Sequence, residues 1–187
     1  DIVLGNKPGE NNLLTFENYQ ASMKEDFVPF PFSGNGQLEK EIVFAGYGFK
    51  IKSKNLQWND YKTIDPEGKW AMVLQEAPEI EKYQKVFGPE KDNRSKALKA
   101  KELGANGVFI VAETNRNGEP EFVNPTLKEG NIDIPVIHIS PQLADKLLKN
   151  NGTSVQKLKS FYKEKAKPKS FEISKKVKAR VDLRENI

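Results

Sequence analysis

Between Phe171 and Leu183 the apolar residues fall on alternate positions: Phe171, Ile173, Val177, Ala179, Val181 and Leu183, interrupted only by Lys175. Every even position from Glu172 to Arg184 is polar or charged. A period of two sustained this far specifies a long strand with one face in a core and the other in water. That wet face explains much of an uneven charge distribution. Residues 1–145 hold 17 Lys+Arg against 22 Asp+Glu, whereas residues 146–187 hold 13 against 4. A basic C-terminal region can contact nucleic acid or an anionic membrane surface. Here lysines outnumber arginines by 11 to 2, without the guanidinium forks and interleaved aromatics of specific nucleic-acid sites. A solvated strand face is therefore the better reading, and no nucleic-acid partner is expected.

The chain of 187 residues suits one domain, or one domain with an extension, and can bury a core without staples. It has no cysteine, which removes disulfides and thiolate metal sites. No apolar run approaches membrane-spanning length. The chain begins at Asp1 rather than Met and is read as a mature fragment.

Residues 1–37 read as an extended N-terminal segment with a short strand near Leu13 to Phe16. Phe27-Val28-Pro29-Phe30-Pro31-Phe32 cannot be a central strand, because two prolines remove ladder donors. Glu41 to Lys52 reads as one strand, with Val43, Ala45, Tyr47, Phe49 and Ile51 on one face; Gly46 and Gly48 mark a bulge or a close backbone approach. Trp70 to Gln75 is a second strand, and residues 77–92 a charged surface loop with at most a helical turn. Asn93 is placed to cap a helix from Arg94 to Leu103, with an apolar stripe of Ala97, Leu98, Ala100 and Leu103 and a terminating Gly104. Buried strands follow at Val108 to Ala112 and Ile134 to Ile139. Pro141 opens a helix carrying Leu143, Ala144, Leu147 and Leu148, and another helix spans Val155 to Tyr162. The result is a mixed α/β architecture, with an alternating centre and antiparallel strands at both ends.

The chain carries no catalytic, cofactor-binding or metal-binding constellation that its residues alone make specific. The single histidine, His138, lies inside an apolar strand and reads as structural. Ser140, at the end of that strand and directly before Pro141, does not read as its nucleophile. Catalytic zinc sites need further His or Cys ligands than one imidazole. Asn59-Asp60, Glu76 with Glu79, and Asp92 lack the dense carboxylate loop of a calcium site and read as solvated loop charges. Gly46-Tyr47-Gly48 lacks the third glycine of a dinucleotide loop. Asn93-Arg94-Ser95 and Asn151-Gly152-Thr153 match glycosylation acceptors, but a helix cap and a helix-ending turn explain them better. Tyr47, Trp58 and Tyr61 read as core aromatics.

An ordered series of segments nevertheless resembles the protease-associated (PA) domain inserted in zinc aminopeptidases of the glutamate-carboxypeptidase/aminopeptidase Y type. Asp26 to Ser33 resembles the lead-in, and Glu41-Ile42-Val43-Phe44-Ala45-Gly46-Tyr47-Gly48 the first core strand. Trp58-Asn59-Asp60-Tyr61, Ile64-Asp65, Gly68 to Leu74 and Pro78 follow in order. Lys96-Ala97 through Val111 resembles the helix–strand unit, Ile134 to Leu148 the last core strand and helix, and Val177 to Ile187 the returning strand.

The resemblance spans roughly residues 24–187. It implies a PA-type swivelling β/β/α domain: a mixed sheet or open β-sandwich with flanking helices. Residues 1–37 would lead in from a parent catalytic domain, and 38–187 would form the PA domain. It also implies a non-catalytic accessory role, limiting or shaping substrate access or mediating protein contacts. The partners would be the parent's own catalytic domain in cis and a peptide or protein substrate. Two zinc ions would reside in that catalytic domain and none in this chain; the parent would be exported, as a periplasmic, cell-surface or secreted protein. An insertion requires residues near Lys40 to Lys52 and Arg180 to Ile187 to share a sheet or adjacent sheets. The alternatives are a free-standing peptide- or protein-binding module, gripping its partner through Phe27 to Phe32 or residues 77–92, and a polyanion-binding tail.

Overall fold

In the computed structural model, which describes residue 2 and residues 4–186, the chain runs β1 (Gly5–Pro8), β2 (Leu13–Phe16), β3 (Tyr19–Gln20), β4 (Phe27–Pro29), β5 (Gly36–Phe44), β6 (Lys50–Lys52), β7 (Gln57–Asn59) and β8 (Trp70–Leu74). Then come α1 (Gln84–Phe87), α2 (Asn93–Glu102), β9 (Gly107–Val111), β10 (Val136–Ile139), α3 (Pro141–Leu148), α4 (Val155–Lys165), β11 (Phe171–Val181) and β12 (Leu183–Asn186). Eight strands form one mixed sheet in the order β3-β2-β11-β5-β8-β9-β10-β4. The central β5, β8, β9 and β10 are parallel, while β11 and β2 on one side and β4 on the other are antiparallel. The fold is mixed α/β, with helices on both sheet faces.

The parallel centre is apolar on both sides, as a strand covered twice must be. Trp70, Met72 and Leu74 of β8 join Phe109 and Val111 of β9 in one core, beneath Leu143, Ala144, Leu147 and Leu148 of α3 and Leu158 and Tyr162 of α4. Ala71, Val73, Val108 and Ile110 face the other way, toward Ala97 and Ala100 of α2. Each fully buried leucine-sized side chain stabilises by about 1.5–3 kcal/mol relative to exposure.

β11 follows its alternating pattern, with Ile173, Val177, Ala179 and Val181 buried in the larger core. Its register against β5 shifts between Ile173, opposite Ile42, and Val177, opposite Lys40. Two extra residues are accommodated there, an even number, so odd positions stay on the core side. Lys175, the interruption in the pattern, is itself buried and reaches Glu17 at 3.0 Å. β4 is an outermost strand paired only with β10, as Pro29 requires.

Three expectations need correction. Glu41 to Lys52 is not one strand: β5 stops at Phe44, the chain turns through Gly46 and Gly48 at positive φ, and β6 pairs with β7 in a separate ribbon. The expected single face splits accordingly, with Val43 and Ala45 in one core and Tyr47, Phe49 and Ile51 in the other. Residues 77–92 are not merely a surface loop, because α1 buries Phe87 against Phe49 and Trp58 at ring separations of 5.4 and 5.5 Å. Finally, α2 is capped by Asp92, whose carboxylate accepts from Ser95 N at 2.9 Å, and not by Asn93. Leu98 of the expected apolar stripe is exposed, and Lys96 is buried in its place.

Candidate functional site

Asp60, read as a solvated charge, is 1% exposed and organises the turn that ends β5. Its Oδ2 accepts from Tyr47 N at 3.1 Å and Phe49 N at 2.9 Å, and its Oδ1 accepts from Trp58 Nε1 at 3.0 Å. Gly46 sits at φ +56°, and a β-carbon there would collide with this carboxylate. The glycine of the Gly46-Tyr47-Gly48 segment therefore admits an internal carboxylate rather than a nucleotide. Lys96, also 1% exposed, donates to the carbonyls of Leu74 at 2.7 Å and Glu76 at 2.6 Å, closing the end of β8. Burial pushes the Asp60 carboxyl up to about 7, against its hydrogen bonds and the nearby Lys96 charge. Burial also pushes the Lys96 ammonium down to about 7, against Asp60, Glu76 and Glu113. Trp58, Tyr47 and Tyr61 are buried around this node.

His138 has both ring nitrogens committed. Nδ1 accepts from Val123 N at 3.0 Å, which places the proton on Nε2, facing Gln75 Oε1 at 2.9 Å. Phe30 and Phe122 flank the ring at 4.6 and 5.5 Å. Ser140 caps α3, accepting from Leu143 N at 3.0 Å. Burial pushes His138 down to about 4 from 6.5. The unfolded chain thus binds a proton that the fold refuses, and stability from this group is lost as pH falls from 6.5 toward 4. Asp60 acts with the opposite sign, since its native carboxyl holds a proton more tightly than the unfolded chain. The difference between wild type and His138→Gln isolates the histidine. Wild type is expected to lose about 3 kcal/mol relative to the variant between pH 6.5 and 4, in paired urea titrations. As the chain has one histidine, its single imidazole Hε1 resonance should also stay unshifted above pH 5; titration near 6.5 would contradict the burial of His138.

The other candidates lie apart and serve local structure. Glu76 approaches Lys91 at 3.5 Å, Glu79 approaches Lys163 at 3.9 Å, and Asp92 caps α2. Asn151 donates to Glu172 O at 3.1 Å, and Asn93 begins α2. Among the described residues no group of three or more His, Asp or Glu side chains is placed to hold a metal ion. Phe27, Phe30 and Phe32 are buried, with Phe30 stacked on Phe32 at 5.0 Å, so they offer no gripping surface. The apolar face expected to grip a partner was the packing of β4 and its continuation onto the sheet.

The two ends of the chain meet in a ribbon of their own. β1 pairs antiparallel with β12, from Pro8 opposite Leu183 to Gly5 opposite Asn186, and Leu4 N donates to Asn186 O at 2.7 Å. Arg180 pairs with Gln37 and Val177 with Lys40, so β5 and the returning strand share the main sheet. Lys50 to Lys52 instead lies in the separate β6–β7 ribbon, and Ile187 falls outside the described residues. Asn35 fixes the ribbon to the sheet, donating to Leu183 O at 2.9 Å and accepting from Leu183 N at 2.7 Å. Three large apolar side chains stand exposed at this end: Ile2 (76%), Leu4 (70%) and Leu127 (47%). Asn6 holds the segment of Leu127 to the ribbon, as its backbone N donates to Thr126 O at 3.0 Å.

Comparison with solved structures finds this architecture inside larger chains. The aminopeptidase from Aneurinibacillus sp. strain AM-1 matches 96% of this chain and 33% of its own, at 17% identity and a TM-score of 0.58. BSAP, a zinc aminopeptidase from Bacillus subtilis, matches 99% of this chain and 33% of its own, at 15% identity and a TM-score of 0.53. The fold is one found within zinc aminopeptidases. This chain spans about a third of the length of the structures it matches. No family model matches it, and no curated protein does.

Proposed function

We propose that this chain is a PA-type accessory domain of a larger, exported zinc aminopeptidase, shaping or limiting substrate access rather than cleaving bonds. The observation that carries this reading is the β1–β12 ribbon: both ends leave side by side, the geometry that lets one domain be inserted in another. The exposed Ile2, Leu4 and Leu127 at that end supply an apolar surface for the parent's catalytic domain to cover. Coverage of a third of two aminopeptidase chains agrees with an accessory part. In this reading the zinc ions, which would polarise a scissile carbonyl and activate water, belong to the parent. The one imidazole here has both nitrogens occupied and does not fit such a site. Among the described residues, no helix is long and apolar enough to cross a membrane. The test is the native polypeptide, which is expected to join this chain to a zinc-holding peptidase.

A further inference from the structure

The β6–β7 ribbon and the turn between α4 and β11 enclose a groove of about 610 Å³, and its charge is of one sign. Lys50, Lys52, Lys62 and Lys167 line it, and no carboxylate does. The sequence source of this imbalance is specific. Residues 50–63 contain four lysines and one acid, Asp60, which is turned inward onto backbone N–H groups. Residues 165–170 contain three lysines and no acid. The fold brings these two distant segments together, and Ser170 Oγ donates to the Asp60 carbonyl across the join. Among the described residues none of the four groove lysines enters an ion pair.

Neighbouring like charges repel, so a groove that gathers them is electrostatically prepared for an anion. Ile51 and Trp58 also line it, as buried residues that join the ribbon to the larger core. Across the ribbon Lys50 stands opposite Asn59 and Lys52 opposite Gln57, which puts amide donors and acceptors beside the charges. Amides beside cations suit a peptide, whose main chain needs both donor and acceptor. They suit a nucleic acid poorly. The groove presents no arginine, and its one aromatic, Trp58, is buried against Phe87 and Tyr162 and cannot stack on a base. We infer that this groove binds an extended peptide segment carrying glutamate or aspartate side chains. The inference stands on the groove alone and does not require the accessory reading above.

The test uses the 187-residue chain with acetylated hexaglutamate, hexaglutamine and a short single-stranded oligodeoxythymidine, followed through the indole N–H resonances of Trp58 and Trp70. Hexaglutamate is expected to shift Trp58 and not Trp70, with an affinity that falls as salt rises. The double variant Lys52→Gln/Lys167→Gln is expected to weaken binding about tenfold. Lys176→Gln/Lys178→Gln, removing the same charge from the wet side of β11, should leave it unchanged. Circular dichroism confirms that each variant is folded. Equal losses in the two variants would show a diffuse field rather than a site, and overturn the proposal. So would hexaglutamine binding as well as hexaglutamate, or tighter binding of the oligonucleotide at the same lysines.

Discussion

Asp60→Ala is expected to lower the unfolding free energy by about 3–5 kcal/mol, among the largest effects of any single polar substitution in this chain. The substitution strands three buried donors at once, Tyr47 N, Phe49 N and Trp58 Nε1. It also leaves Lys96 without its nearest buried opposite charge. Asp60→Asn is the sharper comparison, because volume is conserved. In either amide orientation the –NH2 group faces an N–H donor, and a cost of about 1–3 kcal/mol follows. The two groups should also be coupled: the combined loss in Asp60→Asn/Lys96→Met is expected to differ from the sum of the singles by more than about 0.5 kcal/mol. Urea unfolding of wild type and the four variants, Lys96→Met included, at neutral pH measures these losses. A loss below about 1 kcal/mol for Asp60→Ala would place these groups in a solvated site and contradict the node.

Trp70→Ala is expected to cost about 3–5 kcal/mol for a different reason, the loss of a large filled volume. The indole stacks on Phe109 with centroids 4.1 Å apart and 17° between planes, and its Nε1 donates to Val177 O at 3.1 Å. It thus ties β8 to β9 and reaches over to β11. The space it occupies exists because Gly107, its register partner on β9, has no side chain; a β-carbon there would collide with the ring. Gly107→Val should therefore destabilise by roughly 1–3 kcal/mol by overpacking. The pair Trp70→Leu/Gly107→Val should recover part of that loss, since the smaller side chain vacates the space. Thermal unfolding of wild type, Trp70→Leu, Gly107→Val and the double variant decides the point. A double variant as unstable as the sum of the singles would mean that the two positions do not share the volume.

How far the sequence disclosed this molecule depended on whether the determining contacts were local. β8, β9, β10, α3 and β11 follow from runs, caps and alternation within a few residues, and all five are where those signals put them. Alternation through Val43, Ala45, Tyr47, Phe49 and Ile51 continues across a turn, so the pattern alone predicts β5 too long. The turn is imposed by Asp60, more than ten residues on, and only the paired glycines hinted at it. Asp60 and Lys96 were missed as buried because charge is the usual mark of exposure; their partners are main-chain groups, which carry no sequence signature. Lys96 does lie four residues before Ala100 on the inward face of α2, and that spacing was a usable signal. The basic groove escaped because its cations come from two segments about a hundred residues apart. Charge counted along the chain assigned the excess to the tail, whereas part of it meets Lys50, Lys52 and Lys62 in space.

If this chain works as an inserted accessory part of a zinc aminopeptidase, the native protein isolated from its source will carry the rest of that enzyme. Mass spectrometry of the intact polypeptide, with its zinc content and its hydrolysis of N-terminal aminoacyl bonds, is the decisive measurement. The expected result is one polypeptide, much longer than 187 residues, that contains this sequence, holds zinc and is active. A native polypeptide of 21.2 kDa that holds no zinc and cleaves nothing would contradict it.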